Sequence, residues 1–213
     1  MVDYYNDKDG VFADNISDRE RIGRYSLVSP SYEQEVKENG YTAPYVCAGV
    51  IGEVYPDQRH TISILDIAAG TGLVALELKK LGFLTMDAIE PSEGMLELAA
   101  KKGLYRNLYN TVLSADPLPL PSDAYDAVTI CGWHGNVNSL TDSLLEIIRV
   151  IKPGGYICIV TRMIFIQNLD DYKALLQQCV NLEEANKWKR VELTGFQGYL
   201  NNIEGVKLVF VVF

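Results

Sequence analysis

Residues 64–72 read Ile-Leu-Asp-Ile-Ala-Ala-Gly-Thr-Gly, and the acid Glu90 follows eighteen residues after Gly72. An apolar strand run that breaks into Gly-x-Gly and then into a helix forms a loop whose backbone a ligand can touch, because glycine has no Cβ. The helix that begins there offers N–H groups with no partner inside the helix. An acid ending the next strand stands where a ribose diol needs a pair of acceptors. The constellation predicts a strand–helix–strand unit with a nucleoside-bearing ligand laid across its loop.

The rest of the chain extends that rhythm. Strand one is expected over Ile62 to Ala68, and its helix starts near Gly72 with Val74, Leu78 and Leu81 at i, i+4 and i+7. Strand two covers Thr85 to Glu90, and a helix carrying Met95, Leu98 and Ala99 ends at Gly103. Strand three is expected over Tyr109 to Ser114 and strand four over Tyr125 to Cys131. Leu140, Leu144, Ile147, Ile148 and Ile151 keep a helical period, and Lys152-Pro153-Gly154-Gly155 reads as a sharp turn into strand five, Tyr156 to Thr161. Alternating strands and helices with short links predict an α/β fold, a parallel sheet covered on both faces.

The end departs from this rhythm. After a helix at about Asp170 to Glu184, two strands, Trp188 to Thr194 and Val206 to Phe213, flank a link that fits no helix. They are expected to pair as a hairpin, with one of them antiparallel to the rest of the sheet. Upstream, Ser31-Tyr32-Glu33-Gln34 has the capping-box form, Asn39-Gly40 a helix stop, and Pro44 suits the first turn of a helix running to Val54. Residues 1–58 are read as a helical N-terminal cap on a sheet core at 61–213, the two making a single domain over 1–213.

Charge and cysteine usage exclude several classes. With 19 basic and 28 acidic side chains the formal charge is −9, and no basic stripe exists to grip a phosphate backbone, so nucleic acid is not an expected partner. The apolar run Val206 to Phe213 is broken by Lys207 and too short to span a bilayer. The first residues are acidic and polar, unlike a secretory signal. Cys47, Cys131, Cys158 and Cys179 have no Cys-x-x-Cys spacing, and His60 and His134 complete no metal pattern. A cytoplasmic, metal-free protein is expected, with a small-molecule partner and no membrane; its oligomeric state is not legible.

The glycine loop alone fits two chemistries. Gly70-Thr71-Gly72-Leu73-Val74-Ala75 also matches the Gly-x-Gly-x-x-Ala form of dinucleotide sites, and Glu90 serves a ribose in either. Three features favour a cationic nucleoside. Asp66, just before the loop, can orient it and receive an ammonium, whereas it would repel a pyrophosphate. Asp116 heads a proline-rich loop where an adenine edge can be read, and the chain closes with the hairpin described above.

From Tyr41 to Thr161 these segments resemble the class I S-adenosylmethionine-dependent methyltransferases. Within them the chain resembles the Williams–Beuren-region methyltransferase-like proteins, through Gly40-Tyr41-Thr42-Ala43-Pro44, Gly72-Leu73-Val74-Ala75-Leu76-Glu77-Leu78, Gly94-Met95-Leu96-Glu97-Leu98-Ala99 and Lys102-Gly103-Leu104-Tyr105. The resemblance implies a Rossmann-like seven-stranded sheet of order 3-2-1-4-5-7-6 with strand seven antiparallel. It implies S-adenosyl-L-methionine as cofactor, held by Tyr41, Asp66, Ala68, Gly70, Thr71, Gly72, Glu90, Pro91, Met95, Asp116, Leu118 and Cys131. In that carry-over Glu90 takes both ribose hydroxyls, Met95 packs near ribose or adenine, Asp116 accepts from the adenine amino group and Leu118 stacks on the ring. Ala68 departs from the family, which often has glycine there, and a left-handed alanine is costly.

Each assignment has a plainer alternative. Glu90 reads also as a solvated strand end, Asp116 as an Asx-turn and Met95 as helix core. His134, in the loop after strand four, is the candidate general base, and equally a loop histidine with a structural hydrogen bond. Trp133 is expected to line the substrate pocket, and Tyr25 and Tyr32 form a lid over the cofactor or merely pack the N-terminal helices. No Asp/Asn-Pro-Pro-aromatic motif follows strand four, and no Pro-Cys nucleophile is present. The functional expectation is methyl transfer to a small molecule or a protein side chain, the alternative being a cofactor-binding sensor without turnover.

Overall fold

A computed structural model describes residues 16–133, 136–168 and 170–213. Among the described residues, strands β1 (Ser63–Ile67), β2 (Thr85–Ile89), β3 (Asn107–Tyr109), β4 (Tyr125–Cys131), β5 (Ile151–Arg162), β6 (Trp188–Leu200) and β7 (Ile203–Val212) join in one sheet. Its order is β3-β2-β1-β4-β5-β7-β6. The first five strands run parallel, and β7 is antiparallel to β5, with Cys158 opposite Val209. The expected α/β architecture and strand order are therefore present. The hairpin closes tightly, Leu200 facing Ile203, with Asn201 at φ +49°. Asparagine tolerates that left-handed conformation.

The helices are α1 (Asp18–Glu38), α2 (Ala43–Val54), α3 (Leu73–Lys80), α4 (Glu93–Lys101), α5 (Val137–Asp142), α6 (Leu144–Val150), α7 (Met163–Asn168) and α8 (Asp170–Glu184). They cover both sheet faces because β1 alternates: Leu65 and Ile67 join a core with Leu140, Ile147 and Leu175, while Ile64 joins one with Ile51, Leu78 and Phe83. Helix α2 buries Ala43, Cys47, Ala48, Val50 and Ile51 and so forms part of the layer on the sheet. None of the described helices is long and apolar enough to cross a membrane.

Four local expectations need correction. The first helix does not begin at Ser31 but runs from Asp18, capped by Ser17, whose Oγ accepts from Glu20 N at 3.2 Å. Ser17-Asp18-Arg19-Glu20 is itself a capping-box sequence, and the helix passes straight through Pro30. Proline removes the donor that Ser26 O would receive, and Ser29 Oγ replaces it at 3.0 Å. Strand three lies at Asn107–Tyr109 rather than Tyr109 to Ser114, because buried Asp87 on β2 draws in Asn107 N at 3.0 Å and Arg106 Nη2 at 2.6 Å. Lys152-Pro153-Gly154-Gly155 belongs to β5 as a bulge, where Tyr125 faces Ile151 but Ala127 already faces Tyr156. Finally, the helix expected across Leu140 to Ile151 divides at Ser143 into α5 and α6.

Candidate functional site

The strand ends of β1, β2 and β4 open onto one cleft. After Ile67 the chain turns through Ala68 (φ +55°), Gly70 (φ +56°) and Gly72 (φ +87°), the last residue before α3. This zigzag is stitched to β2 by Ala69 N donating to Ile89 O at 3.1 Å and by Gly70 N donating to Glu90 Oε2 at 2.8 Å. The other oxygen of Glu90 accepts from Ser92 N at 2.8 Å. Burial pushes the Glu90 carboxyl up to about 7, against the two N–H donors that favour its charge, and Asp66 adds a further push.

Asp66 lies beneath the loop, with its two oxygens accepting from Tyr105 Oη at 2.6 Å and Thr129 Oγ1 at 2.8 Å. Burial raises it to about 6 despite both donors. Thr71 also lines the cleft, and its buried hydroxyl has no hydrogen-bond partner among the described residues.

Helix α1 bridges the cleft from one strand end to the next. Near its start, Asp18 Oδ1 accepts from Asn136 N at 3.2 Å, in the segment after β4. At its middle, Ser26 and Ser92 share a hydrogen bond of 2.9 Å beside the end of β2. Near its end, Glu33 pairs with Lys102, whose Nζ also donates to Thr71 O at 2.6 Å in the glycine loop. The space under this bridge, mouth included, is about 1030 Å³.

Against known proteins, residues 65–159 match the family model described as a methyltransferase domain. The chain is 36% identical over 170 residues to human methyltransferase-like protein 27, covering 80% of this chain and 69% of that one. The chain belongs to the class I S-adenosylmethionine-dependent methyltransferases. A second family member, the ubiquinone/menaquinone biosynthesis C-methyltransferase UbiE of Rickettsia massiliae, is 39% identical over 106 residues, 45% of this chain and 43% of that relative. The match thus spans under half of that relative's length. Among solved structures, the [4+2]-cyclase SpnF superposes with a TM-score of 0.70 at 16% identity, over 92% of this chain and 96% of that one, a likeness of fold.

This family member brings together ten of the residues singled out by sequence. Ala68, Gly70, Thr71, Glu90 and Pro91 line the cleft on the β1 and β2 side, and Tyr25, Tyr32, Tyr41, Cys131 and Trp133 on the side of α1 and β4. Five others stand elsewhere. Asp66 lies beneath the loop, accepting from Tyr105 and Thr129, and Gly72 ends the loop with its Cβ position turned to the Tyr105 ring rather than to the cleft. Met95 is core on α4, only 2% exposed. Asp116 is exposed and bonded to Ser114, and Leu118 is buried in the core with its N–H donated to Glu146. These last two miss the cleft because β3 ends at Tyr109, so the chain passes the cleft at Thr111, Val112 and Leu113 instead. His134 lies outside the described residues.

Sequence reasoning missed Asp18, Arg21 and Ile22 as cleft residues. The capping box at Ser17 was the available signal for the helix that carries them. For Ser92, Asn136 and Ser139, which also reach the cleft, no sequence signal exists beyond proximity to a strand end.

Proposed function

We propose that the protein binds S-adenosylmethionine across the glycine loop and transfers its methyl group to a small molecule held between α1 and the segment after β4. Glu90 carries this reading. Its carboxylate already accepts the Gly70 N–H, the donor that a dinucleotide pyrophosphate would need, so an anion arriving there meets like charge. Each carboxylate oxygen keeps a further lone pair, which suits the two hydroxyls of a ribose. The left-handed loop backbone adds a surface for the remainder of the cofactor. With Asp116, Leu118 and Met95 away from the cleft, Val112 and Leu113, which line it, are our candidates for the adenine wall.

S-adenosylmethionine supplies an activated methyl group on a sulfonium leaving group. The work of the chain is then alignment and exclusion of water, and holding two reactants in attack geometry supplies about 7–11 kcal/mol. Helix α1 closes the cleft, and Trp133 and Tyr25 wall the acceptor. His134 is our candidate base, required only for an acceptor that arrives protonated. Asp66 acts through Tyr105 and Thr129 on the strand ends rather than on ligand.

The formal charge of −9 argues against nucleic acid as acceptor. The four free cysteines suit a reducing compartment, and we assign the protein to the cytoplasm on that ground. Likeness to human methyltransferase-like protein 27 supports the narrower resemblance to the Williams–Beuren-region group.

Calorimetric titration tests the cofactor. S-adenosylhomocysteine should bind and NAD should not; binding of NAD alone overturns the reading. Glu90→Ala should weaken S-adenosylhomocysteine binding by about 1.5–3 kcal/mol. Incubation with labelled cofactor and a metabolite extract tests turnover: label should appear in a small molecule. Label in protein would change the acceptor class, and no transfer despite binding would make the protein a sensor.

A further inference from the structure

Of the four free cysteines, three meet at one corner of the cleft. Cys131 ends β4, and Cys158 stands on β5 opposite Thr129, so both side chains point to the sheet face that α2 covers. Cys47 on α2 faces them, its sulfur 3.8 Å from that of Cys158 and close enough to Cys131 to share a hydrogen bond with it as well. Cys179 lies in the core on the opposite face of the sheet.

The three thiols differ in access. Cys47 and Cys158 are buried, whereas Cys131 is part-exposed and lines the cleft next to Gly132 and Tyr41. The neighbouring Cys131 and Cys158 thiols and its own burial push the Cys47 thiol up, which keeps it protonated until an activated sulfur appears beside it. An oxidant entering with solvent therefore meets Cys131 first. A sulfenic acid formed there already has a thiol in contact, and a disulfide needs the two sulfurs only to close to about 2.05 Å.

We propose that Cys131 and Cys47 form an oxidation site in the cleft wall: a peroxide oxidises Cys131, Cys47 closes a disulfide onto it, and cofactor binding weakens. In the first step the Cys131 sulfur attacks the peroxide and breaks its O–O bond. The sulfur becomes a sulfenic acid, and the thiol proton leaves with the displaced oxygen as water. In the second step the Cys47 sulfur attacks the Cys131 sulfur and breaks its S–O bond, and the Cys47 proton leaves with that oxygen as a second water. One peroxide thus takes two electrons from two thiols, and a dithiol reductant returns them. The bond ties the end of β4 to α2 and draws the Cys131 sulfur away from the Tyr41 hydroxyl, 3.8 Å from it in the reduced protein. Tyr41, Pro44 and Gly132 all line the cleft at this corner, so the cleft changes shape there. The effect on the cofactor rests on the S-adenosylmethionine reading of the cleft; the thiol chemistry does not.

The test treats the reduced full chain with hydrogen peroxide, alkylates it and maps its peptides by mass spectrometry. A Cys47–Cys131 disulfide within one chain is expected, with Cys179 still alkylated. Dimedone present from the start should capture Cys131 and no other cysteine. Cys47→Ala should accumulate the Cys131 sulfenic acid, and if that variant does not fold, the dimedone capture in the unmodified chain decides. Saturating S-adenosylhomocysteine should slow the loss of the Cys131 thiol several-fold. The oxidised protein should bind S-adenosylhomocysteine about tenfold more weakly, within the usual span of coupling between two sites, and recover with dithiothreitol. Sulfinic acid at Cys131 without a disulfide, any other bridge, dimedone on another cysteine, or an oxidised protein that binds S-adenosylhomocysteine as the reduced one does overturns the proposal. A reduced chain that binds no S-adenosylhomocysteine refutes the cofactor reading instead, and the peptide map still decides whether the two thiols pair.

Discussion

Lys102 donates from Nζ to the carbonyl oxygen of Thr71 at 2.6 Å while pairing with Glu33 on α1, so one ammonium ties the covering helix to the glycine loop. Of the 21 residues in α1 only Ser29 is buried. Little apolar burial therefore holds this helix down, and its polar anchors decide how long the cleft stays closed.

Lys102→Met keeps the length and apolar stem of the side chain and removes the charge. The loss of one partly exposed pair and one charge-assisted hydrogen bond is expected to cost about 1 kcal/mol. Amide hydrogen exchange in α1 should accelerate several-fold while that of β1 and β4 stays the same, and S-adenosylhomocysteine should dissociate faster. Unchanged exchange in α1 would show that the Ser26–Ser92 and Asp18–Asn136 contacts suffice without it.

Ala68 occupies left-handed backbone at φ +55°, next to the loop that Glu90 holds. For an L-residue this conformation costs about 1–2 kcal/mol, partly offset in a glycine variant by the greater freedom of its unfolded chain. Ala68→Gly should thus stabilise the protein by about 0.5–1 kcal/mol. In a chain of this size the melting temperature rises by about 2–3 °C. A melting temperature that falls would mean that the methyl group of Ala68 contributes packing worth more than the strain.

Glu90 and Asp66 are both carboxyls raised by burial, to about 7 and about 6. Each binds its proton more tightly folded than unfolded. Their contribution to stability is therefore complete at low pH, below the ordinary carboxylate range, and is lost as pH rises through 6 and 7. Asp87 works in the opposite sense, since burial raises it but Arg106, Tyr125 and Asn107 outweigh that and hold it low. Its contribution is lost only as pH falls through its depressed value. The ligand-free protein should melt at progressively lower temperature from pH 5 to pH 8. Glu90→Gln should flatten part of that slope.

Ribose hydroxyls donating to Glu90 favour its charged form, so cofactor binding must expel a proton where that carboxyl is still protonated. S-adenosylhomocysteine affinity should rise with pH between about 5.5 and 7.5, by up to tenfold per unit at the acidic end. Calorimetry in two buffers of different ionisation enthalpy counts the protons released. Glu90→Gln should bind more weakly and lose most of the pH dependence. A pH-independent affinity in the unmodified protein would mean that the ribose does not engage this carboxylate.

The sheet was legible in the sequence wherever a strand is buried on both faces: β1, β2, β4 and the start of α3 fall within about two residues of expectation. There a run of apolar residues bounded by glycine admits few readings. The cleft wall at Thr111 to Leu113 was illegible because β3 is short and half-exposed, its start fixed by hydrogen bonds from Arg106 and Asn107 to Asp87 on the neighbouring strand. No local pattern encodes that contact. Helix α1 was half legible for a related reason. Its polar face shows no clear apolar period, and Pro30 suggests a boundary that Ser29 and Ser26 together remove. Asp66 shows the limit of reading a role from a motif position, since the sequence marks the acid but not the two hydroxyls that claim it.

Gly132 separates β4 from Trp133, with its backbone at φ +70°, and a Cβ built there collides with the Tyr41 hydroxyl. Tyr41 in turn stands 3.8 Å from the sulfur of Cys131, so both walls of this corner approach the backbone directly. Gly132→Ala should therefore suffer twice, through left-handed strain of about 1–2 kcal/mol and through displacement of the Tyr41 ring from the cleft. The two parts are separable. Tyr41→Phe removes the hydroxyl that clashes, so the Gly132→Ala/Tyr41→Phe double variant should recover the steric part of the loss in melting temperature and retain the strain. If Tyr41 forms a wall of the cofactor site, Gly132→Ala should also weaken S-adenosylhomocysteine binding by about tenfold or more, with partial recovery in the double variant. A Gly132→Ala protein that melts and binds like the original would show that the chain relaxes at this corner, and would remove Tyr41 from the site.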